Sequence, residues 1–260
     1  MKLSLISLLA VASMFAVGCA APEDESGDAE SSEDAVIGGR ETFEKPEIGI
    51  LFRGNGYCTA TLVRPNVVIT AMHCGQGTPV DADISNANPG TVFEIRKSAT
   101  EKYRYKVVRA ESIAQPADFD GSQKWRDKDI LLLKLETSVP AEVAKPAKIA
   151  TADAPVGSKV AVYGYGCTSR VAGEDGRRPG GGTKRKKEYW WNAWLAFGWS
   201  DTQNVCPGDS GGPLLDVGNN AVFGTNSGYI GGVNGNDKFG DVPAASAKLN
   251  ALADRWAAQK

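Results

Sequence analysis

Apolar residues in this chain come mostly in short runs, rich in β-branched and aromatic side chains and broken by Gly, Pro, Asn and Asp. The runs fall at Ile48–Phe52, Thr59–Val63, Val67–Thr70, Thr91–Ile95, Lys106–Ala110, Ile130–Leu135, Lys159–Tyr163, Tyr189–Leu195 and Ala221–Thr225. Short strand-like segments separated by turn residues predict an all-β sandwich or barrel. No repeat of fixed period is apparent. The tail has a different rhythm. Leu249, Leu252 and Trp256 stand at i, i+3 and i+7 in an alanine-rich stretch after Pro243. That spacing predicts a terminal amphipathic helix packed on the β structure.

Two N-terminal segments fall outside this pattern. Lys2 followed by the apolar run Leu3–Val17 reads as an export signal, too short to span a bilayer comfortably. It ends in Ala16-Val17-Gly18-Cys19, which resembles the lipobox of bacterial lipoproteins, although Ala16 stands where leucine is usual. On that reading Cys19 is lipidated and becomes the first residue. The alternative is ordinary cleavage after Ala20 or Ala21, with Cys19 discarded. Either route takes the chain out of the cytoplasm, as a cell-envelope lipoprotein or as a secreted or periplasmic protein. Residues 20–35 are acidic, serine-rich and nearly free of large apolar side chains. Burial there cannot offset the entropy of ordering, so the stretch is expected to be a disordered tether or pro-segment, or a plain spacer. The expected organisation is a signal at 1–19, the acidic segment at 20–35 and one folded domain at 36–260.

Composition adds little to the fold and something to the partners. With 42% hydrophobic and 23% charged residues over 260 positions, the chain can build one large domain or two small ones sharing a cleft. Seven acids and one lysine give residues 1–35 a charge of -6. The overall -2 therefore leaves +4 on residues 36–260. So small a basic excess calls for neither nucleic acid nor membrane as a partner of the folded part. Beyond Cys19 the cysteines are Cys58, Cys74, Cys167 and Cys206, and their spacing leaves all three pairings open.

Three segments carry candidate chemistry. Thr70-Ala71-Met72-His73-Cys74 holds the chain's one histidine. Asp127-Lys128-Asp129 leads straight into the apolar run from Ile130. Cys206-Pro207-Gly208-Asp209-Ser210-Gly211-Gly212-Pro213 surrounds a serine with glycines, which permits a tight turn with amide N–H groups aimed inward. Together with Cys58-Thr59-Ala60-Thr61-Leu62 and Gly164-Tyr165-Gly166, these segments resemble the chymotrypsin-like (trypsin-like) serine proteases in content and order, over residues 36 to about 256. Histidine, aspartate, serine is the order that fold uses.

The resemblance implies two six-stranded antiparallel β-barrels with the active site between them and a C-terminal helix. It implies a serine endopeptidase acting on protein or peptide substrates through an acyl-enzyme, with no metal and no cofactor. His73 would be the general base, Asp129 the carboxylate that orients it (Asp127 being the competing acid) and Ser210 the nucleophile. The amides of Gly208 and Ser210 would form the oxyanion hole. The runner-up is a proteolytically inactive, surface-anchored binding module on the same fold, against which the intact triad counts.

Val36-Ile37-Gly38-Gly39 resembles the N-terminus released when zymogens of the family are cut. The Val36 amine would then pair with the carboxylate of Asp209. The cut would follow Ala35, so an activating protease with trypsin-like preference is not expected; the plainer reading makes Val36 an edge-strand residue. Such a cut would also release the domain from any lipid on Cys19. The resemblance further implies a Cys58–Cys74 bridge around the histidine. It offers no partner downstream of Cys206, so Cys206 is expected to pair with Cys167, which follows the Gly-Tyr-Gly turn.

Substrate preference is read from weaker matches. Asn204, six residues before Ser210, stands at the base of the implied specificity pocket, where trypsins have aspartate. Asp237 replaces a glycine on the pocket wall and could receive a basic side chain, unless it is a solvated loop residue. Ser227 matches the strand that pairs with substrate backbone, and Tyr229 could narrow the pocket entrance. Arg177, Arg178 and Lys184–Lys187 lie in a glycine-rich loop, either a basic exosite for acidic substrates or a solvated, nickable loop. Tyr189, Trp190, Trp191 and Trp194 read as a barrel strand with partly buried aromatics.

Overall fold

The alternating faces of the apolar runs settle into two sheets that share a core. A computed structural model describes residues 40–75, 90–114, 127–155, 159–166, 187–192, 205, 207–230 and 236–259, all within the unit Glu33–Lys260. For residues 40–41, 159, 187–192, 229–230 and 236–238 it describes the backbone alone. After a two-residue strand, Arg40–Glu41 (β1), come Ile48–Arg53 (β2), Gly56–Arg64 (β3), Val67–Thr70 (β4), Val92–Arg96 (β5), Lys102–Ser112 (β6) and Leu131–Leu135 (β7). Strands β2 to β7 form a closed six-stranded barrel in the order β2-β3-β4-β7-β6-β5. All of its pairings are antiparallel.

The second sheet contains Lys148–Ile149 (β8), Lys159–Gly164 (β9), Lys187–Asn192 (β10), Pro213–Asp216 (β11), Ala221–Ile230 (β12) and Asn236–Asp241 (β13). Its order is β1-β10-β9-β11-β12-β13, and β8 joins β12 in parallel. The fold is thus the expected one: a closed barrel, a second sheet and a C-terminal helix. The second sheet differs in detail from six antiparallel strands, having seven described strands and that one short parallel pair.

Strands β4 and β7 are apolar on both faces because both faces are buried, as near-continuous hydrophobic runs require. Val68, Leu131, Leu133 and Leu135 point into the first barrel with Leu51, Leu62, Phe93 and Ile95. Val67, Ile69 and Leu132 point outward and meet Tyr163, Leu215 and Val222 of the second sheet. The terminal helix, Val242–Ala257, lays Leu249, Leu252 and Trp256 on the same core. Asp241 caps it by accepting the Ala244 amide at 3.0 Å, and Pro243 sits in its first turn, where a missing N–H costs nothing. Arg64 of β3 clamps its outer face through Asp254 and Asn250.

Candidate active site

Pairing of β4 with β7 builds the first half of the site. Thr70 lies opposite Leu131, so the end of β4 abuts the start of β7. The chain leaves β4 through a single 3-10 turn, Met72–Gly75, that carries His73; Asp129 stands two residues before β7. His73 donates its backbone amide to Asp129 Oδ1 at 2.9 Å, and its Nδ1 lies 2.7 Å from Oδ2. A third donor, the Ser227 hydroxyl, reaches Oδ2 at 2.5 Å.

Asp129 is fully buried, and a buried carboxylate costs several kcal/mol unless its lone pairs are met. Three donors on two oxygens meet them here. A carboxylate facing Nδ1 fixes the proton on that nitrogen and leaves Nε2 with its lone pair. The histidine side chain keeps 22% exposure, so the ring can be reached from solvent while its acid partner cannot. Asp127, the competing acid, is exposed and points to no such role. The turn is tied down by the Cys58–Cys74 disulfide and by Arg53, whose Nη1 donates to the Cys74 carbonyl at 2.5 Å.

The serine loop enters from the second sheet, immediately before β11. Its backbone is bound on both sides: Thr59 N donates to Ser210 O, Gly211 N to Asn226 O and Asn226 N to Gly212 O, each at 2.8 Å. Gly211 has a φ of 78°, and a Cβ there would collide with Thr70 Oγ1 and lie 2.5 Å from Thr59 O. Only glycine fits, and the fit sets Gly211, the residue after Ser210, against Thr70 and Ala71, the residues that lead to His73. Gly208, with a φ of 100°, is similarly confined; a Cβ would lie 2.7 Å from the Tyr57 ring and 2.9 Å from Gly166 Cα. Among the described residues neither the Gly208 nor the Ser210 amide donates to a backbone carbonyl.

Asp209 is fully buried against Gly164 and Gly166, two residues without side chains. Gly166 N donates to its Oδ1 at 2.6 Å. A Cβ on Gly166 would lie 2.5 Å from the carboxylate, and one on Gly164 would collide with it. Burial pushes the Tyr57 hydroxyl pKa up, and the nearby Asp209 charge pushes it further.

The remaining site residues divide by location. Ser227 sits at a bulge in β12, between Asn226 and Gly228, and turns its hydroxyl onto Asp129. Its link to the carboxylate was not read from the sequence. Tyr229 and Asp237 lie directly opposite each other on β12 and β13, so Asp237 belongs to a strand and not to a solvated loop. Cys19, Val36, Cys167, Asn204, Cys206 and the basic loop residues Arg177, Arg178 and Lys184–Lys186 lie outside the described residues; so does Trp194.

Comparison with known proteins agrees with this geometry. The family model described as Trypsin matches residues 36–254. Human granzyme M is 30% identical over 203 residues, covering 69% of this chain and 73% of the relative. Snake venom serine protease 1 of Craspedocephalus gramineus is 27% identical over 206 residues, covering 72% and 74%. In three dimensions, the structure of neuropsin, a serine protease expressed in the limbic system of mouse brain, superposes with a TM-score of 0.63 at 19% identity. It covers 82% of this chain and 98% of neuropsin, and at that identity it speaks for the fold. A matching family model over most of the chain, on a fold of two sheets, leaves one assignment: the chain belongs to the trypsin family of serine endopeptidases.

Proposed function

We propose that Ser210 is the nucleophile, His73 its general base and Asp129 the carboxylate that orients the histidine. The observation that carries this reading is the buried Asp129, whose two oxygens take His73 N, His73 Nδ1 and Ser227 Oγ. A serine hydroxyl attacks a peptide carbonyl efficiently only as its proton leaves, and His73 Nε2 is the acceptor. The ring then returns the proton to the departing amine, and Asp129 stabilises the imidazolium between the two transfers. The developing oxyanion is received by the Gly208 and Ser210 amides; one such donor is worth roughly 3–4 kcal/mol in the transition state. Water repeats the sequence on the acyl-enzyme and frees Ser210.

The enzyme is made as an exported precursor, cut before Val36 by another protease. The freed Val36 amine pairs with Asp209, whose buried cradle beside Gly164 and Gly166 supports that pairing. Lipid on Cys19 holds the precursor at the membrane, and activation releases the enzyme. Asn204, Tyr229 and Asp237 bound the specificity pocket, while the backbone at Ser227 pairs with substrate.

A fluorophosphonate probe tests the catalytic reading on protein that begins at Val36. The wild type is expected to be labelled at Ser210, and Ser210→Ala to fold normally and take no label. An unlabelled wild type would sink the assignment and leave a binding module on the same fold.

A further inference from the structure

The motif Cys58-Thr59-Ala60-Thr61-Leu62 contains a polar residue with no part in the reading above. Thr59 is fully buried in β3, yet its hydroxyl bridges two other segments of the site. Oγ1 donates to the Gly208 carbonyl at 2.8 Å and accepts the Tyr165 amide at 2.9 Å. Its backbone amide donates to Ser210 O at 2.8 Å, and its carbonyl accepts the Thr70 hydroxyl at 2.8 Å. One residue therefore holds the carbonyls on both sides of Asp209, while tying them to the end of β4 and to the Gly164–Gly166 turn.

Gly208 needs such a hold. With a positive φ and no side chain, its backbone has more freedom than any other residue would have. Rotation about the backbone bonds of Gly208 would carry its N–H out of the direction that the oxyanion needs. Three contacts oppose that rotation. The Tyr57 ring and Gly166 Cα crowd Gly208 from outside, and the Thr59 hydroxyl fixes its carbonyl, and with it the Gly208–Asp209 peptide against which the N–H turns. Of these, only the hydroxyl is directional. It can donate to Gly208 because its lone pair is already occupied by Tyr165 N–H, which fixes the direction of its own proton.

We infer that Thr59 is a positioning residue for the reaction: its hydroxyl anchors the Gly208–Asp209 peptide and, through Gly208 Cα, keeps the adjoining N–H facing the oxyanion. This rests on the catalytic reading above and names a residue that acts through Gly208 without touching substrate. Such a residue affects the transition state more than the bound ground state, because hydrogen bonds to the oxyanion reach full strength only as charge develops.

The test compares Thr59→Val, which keeps shape and removes the hydroxyl, with Thr59→Ser, which keeps the hydroxyl. The readout is inactivation by the fluorophosphonate probe, separated into kinact and KI, because the phosphonyl oxygen enters the same hole. Thr59→Val is expected to lower kinact roughly tenfold, less than the loss of a whole donor, with KI within about twofold of wild type. Thr59→Ser is expected to recover kinact to within about threefold of wild type. Equal kinact in wild type and Thr59→Val overturns the inference, as does a loss that appears only in KI. Should Thr59→Val fail to fold, Thr59→Ala is compared with Thr59→Ser, and equal rates overturn it in the same way. A wild type that takes no label fails the catalytic reading instead, so the two failures remain distinct.

Discussion

At the scale of single residues, the site depends on how Asp129 is satisfied. Two of its three donors come from His73 and one from Ser227, and they differ in what they control. Asp129→Asn offers Nδ1 an amide in place of a carboxylate. It can present an N–H donor there and move the ring proton to Nε2, where it blocks the general base. The expected loss in kcat is roughly 10⁴, with the fold intact. Ser227→Ala removes one hydrogen bond to a charged group and leaves the tautomer in place, so its loss is on the order of tenfold. Steady-state kinetics on one peptide substrate, with both variants and wild type cut at Val36, checks the ranking; equal losses would contradict it. The residues of the proposed triad are legible in sequence because each sits inside a recognisable motif. The Ser227 hydroxyl is not, since a bulge between Asn226 and Gly228 aims it and residue spacing does not encode the bulge. Thr59 is hidden for a related reason. Its partner Gly208 is 149 positions away, and a threonine in a mostly apolar strand reads as an ordinary β-former.

At the scale of elements, legibility followed burial. The runs predicted at Val67–Thr70 and Ile130–Leu135 emerge almost unchanged as β4 and β7, because the core packs against both of their faces. The segment Asn236–Asp241 reads as loop, being polar and glycine-bearing, yet it forms β13. It lies at the end of the sheet path, where one neighbour suffices and polar side chains are tolerated. Pro213–Asp216 was hidden by its four-residue length and by the glycines before it. One pairing also carries a titratable lock. Glu94 of β5 is fully buried and faces Arg104 of β6 across the ladder, with Arg96 on its own strand; both arginines approach its oxygens at 2.7 Å. Burial alone would push its carboxyl pKa up, but the hydrogen bonds and charges of Arg104 and Arg96 outweigh it and hold the pKa below 4.5. A depressed folded pKa means that the stabilisation is present above the unfolded value. It disappears as pH falls through the folded one. Glu94→Gln is therefore expected to lower the denaturation midpoint at neutral pH. The gap from wild type should narrow as pH drops below the ordinary carboxylate range. Urea melts at neutral and strongly acidic pH measure it, and a gap independent of pH would refute the lock.

At the scale of the whole molecule, the chain is divided by charge: -6 on residues 1–35 and +4 on residues 36–260. The Trypsin model begins at residue 36, where the charge changes, and ends at 254, close to the span read from the motifs. The division bears on activity through Asp209. A buried carboxylate that loses its cationic partner is penalised by about 3–5 kcal/mol, equivalent to a population shift on the order of 10²–10⁴. If the Val36 amine is that partner, the N-terminus acts as a switch whose throw is the full worth of one buried ion pair. Its position must then be correct to a single residue. One extra amino acid moves the amine by about 3.5 Å and puts a neutral peptide group where the charge belongs. Protein beginning at Val36 is therefore expected to react with the fluorophosphonate probe at least 100-fold faster than protein beginning at Ala35. Asp209→Asn in the Val36 form is expected to fall to the level of the longer protein. N-terminal sequencing of the protein from its native cells should return Val36 from labelled molecules, and Cys19 or a residue near Ala21 from unlabelled ones. Equal labelling of the two N-terminal forms would show that Ser210 is competent without the cut, and that Asp209 keeps its place without the Val36 amine.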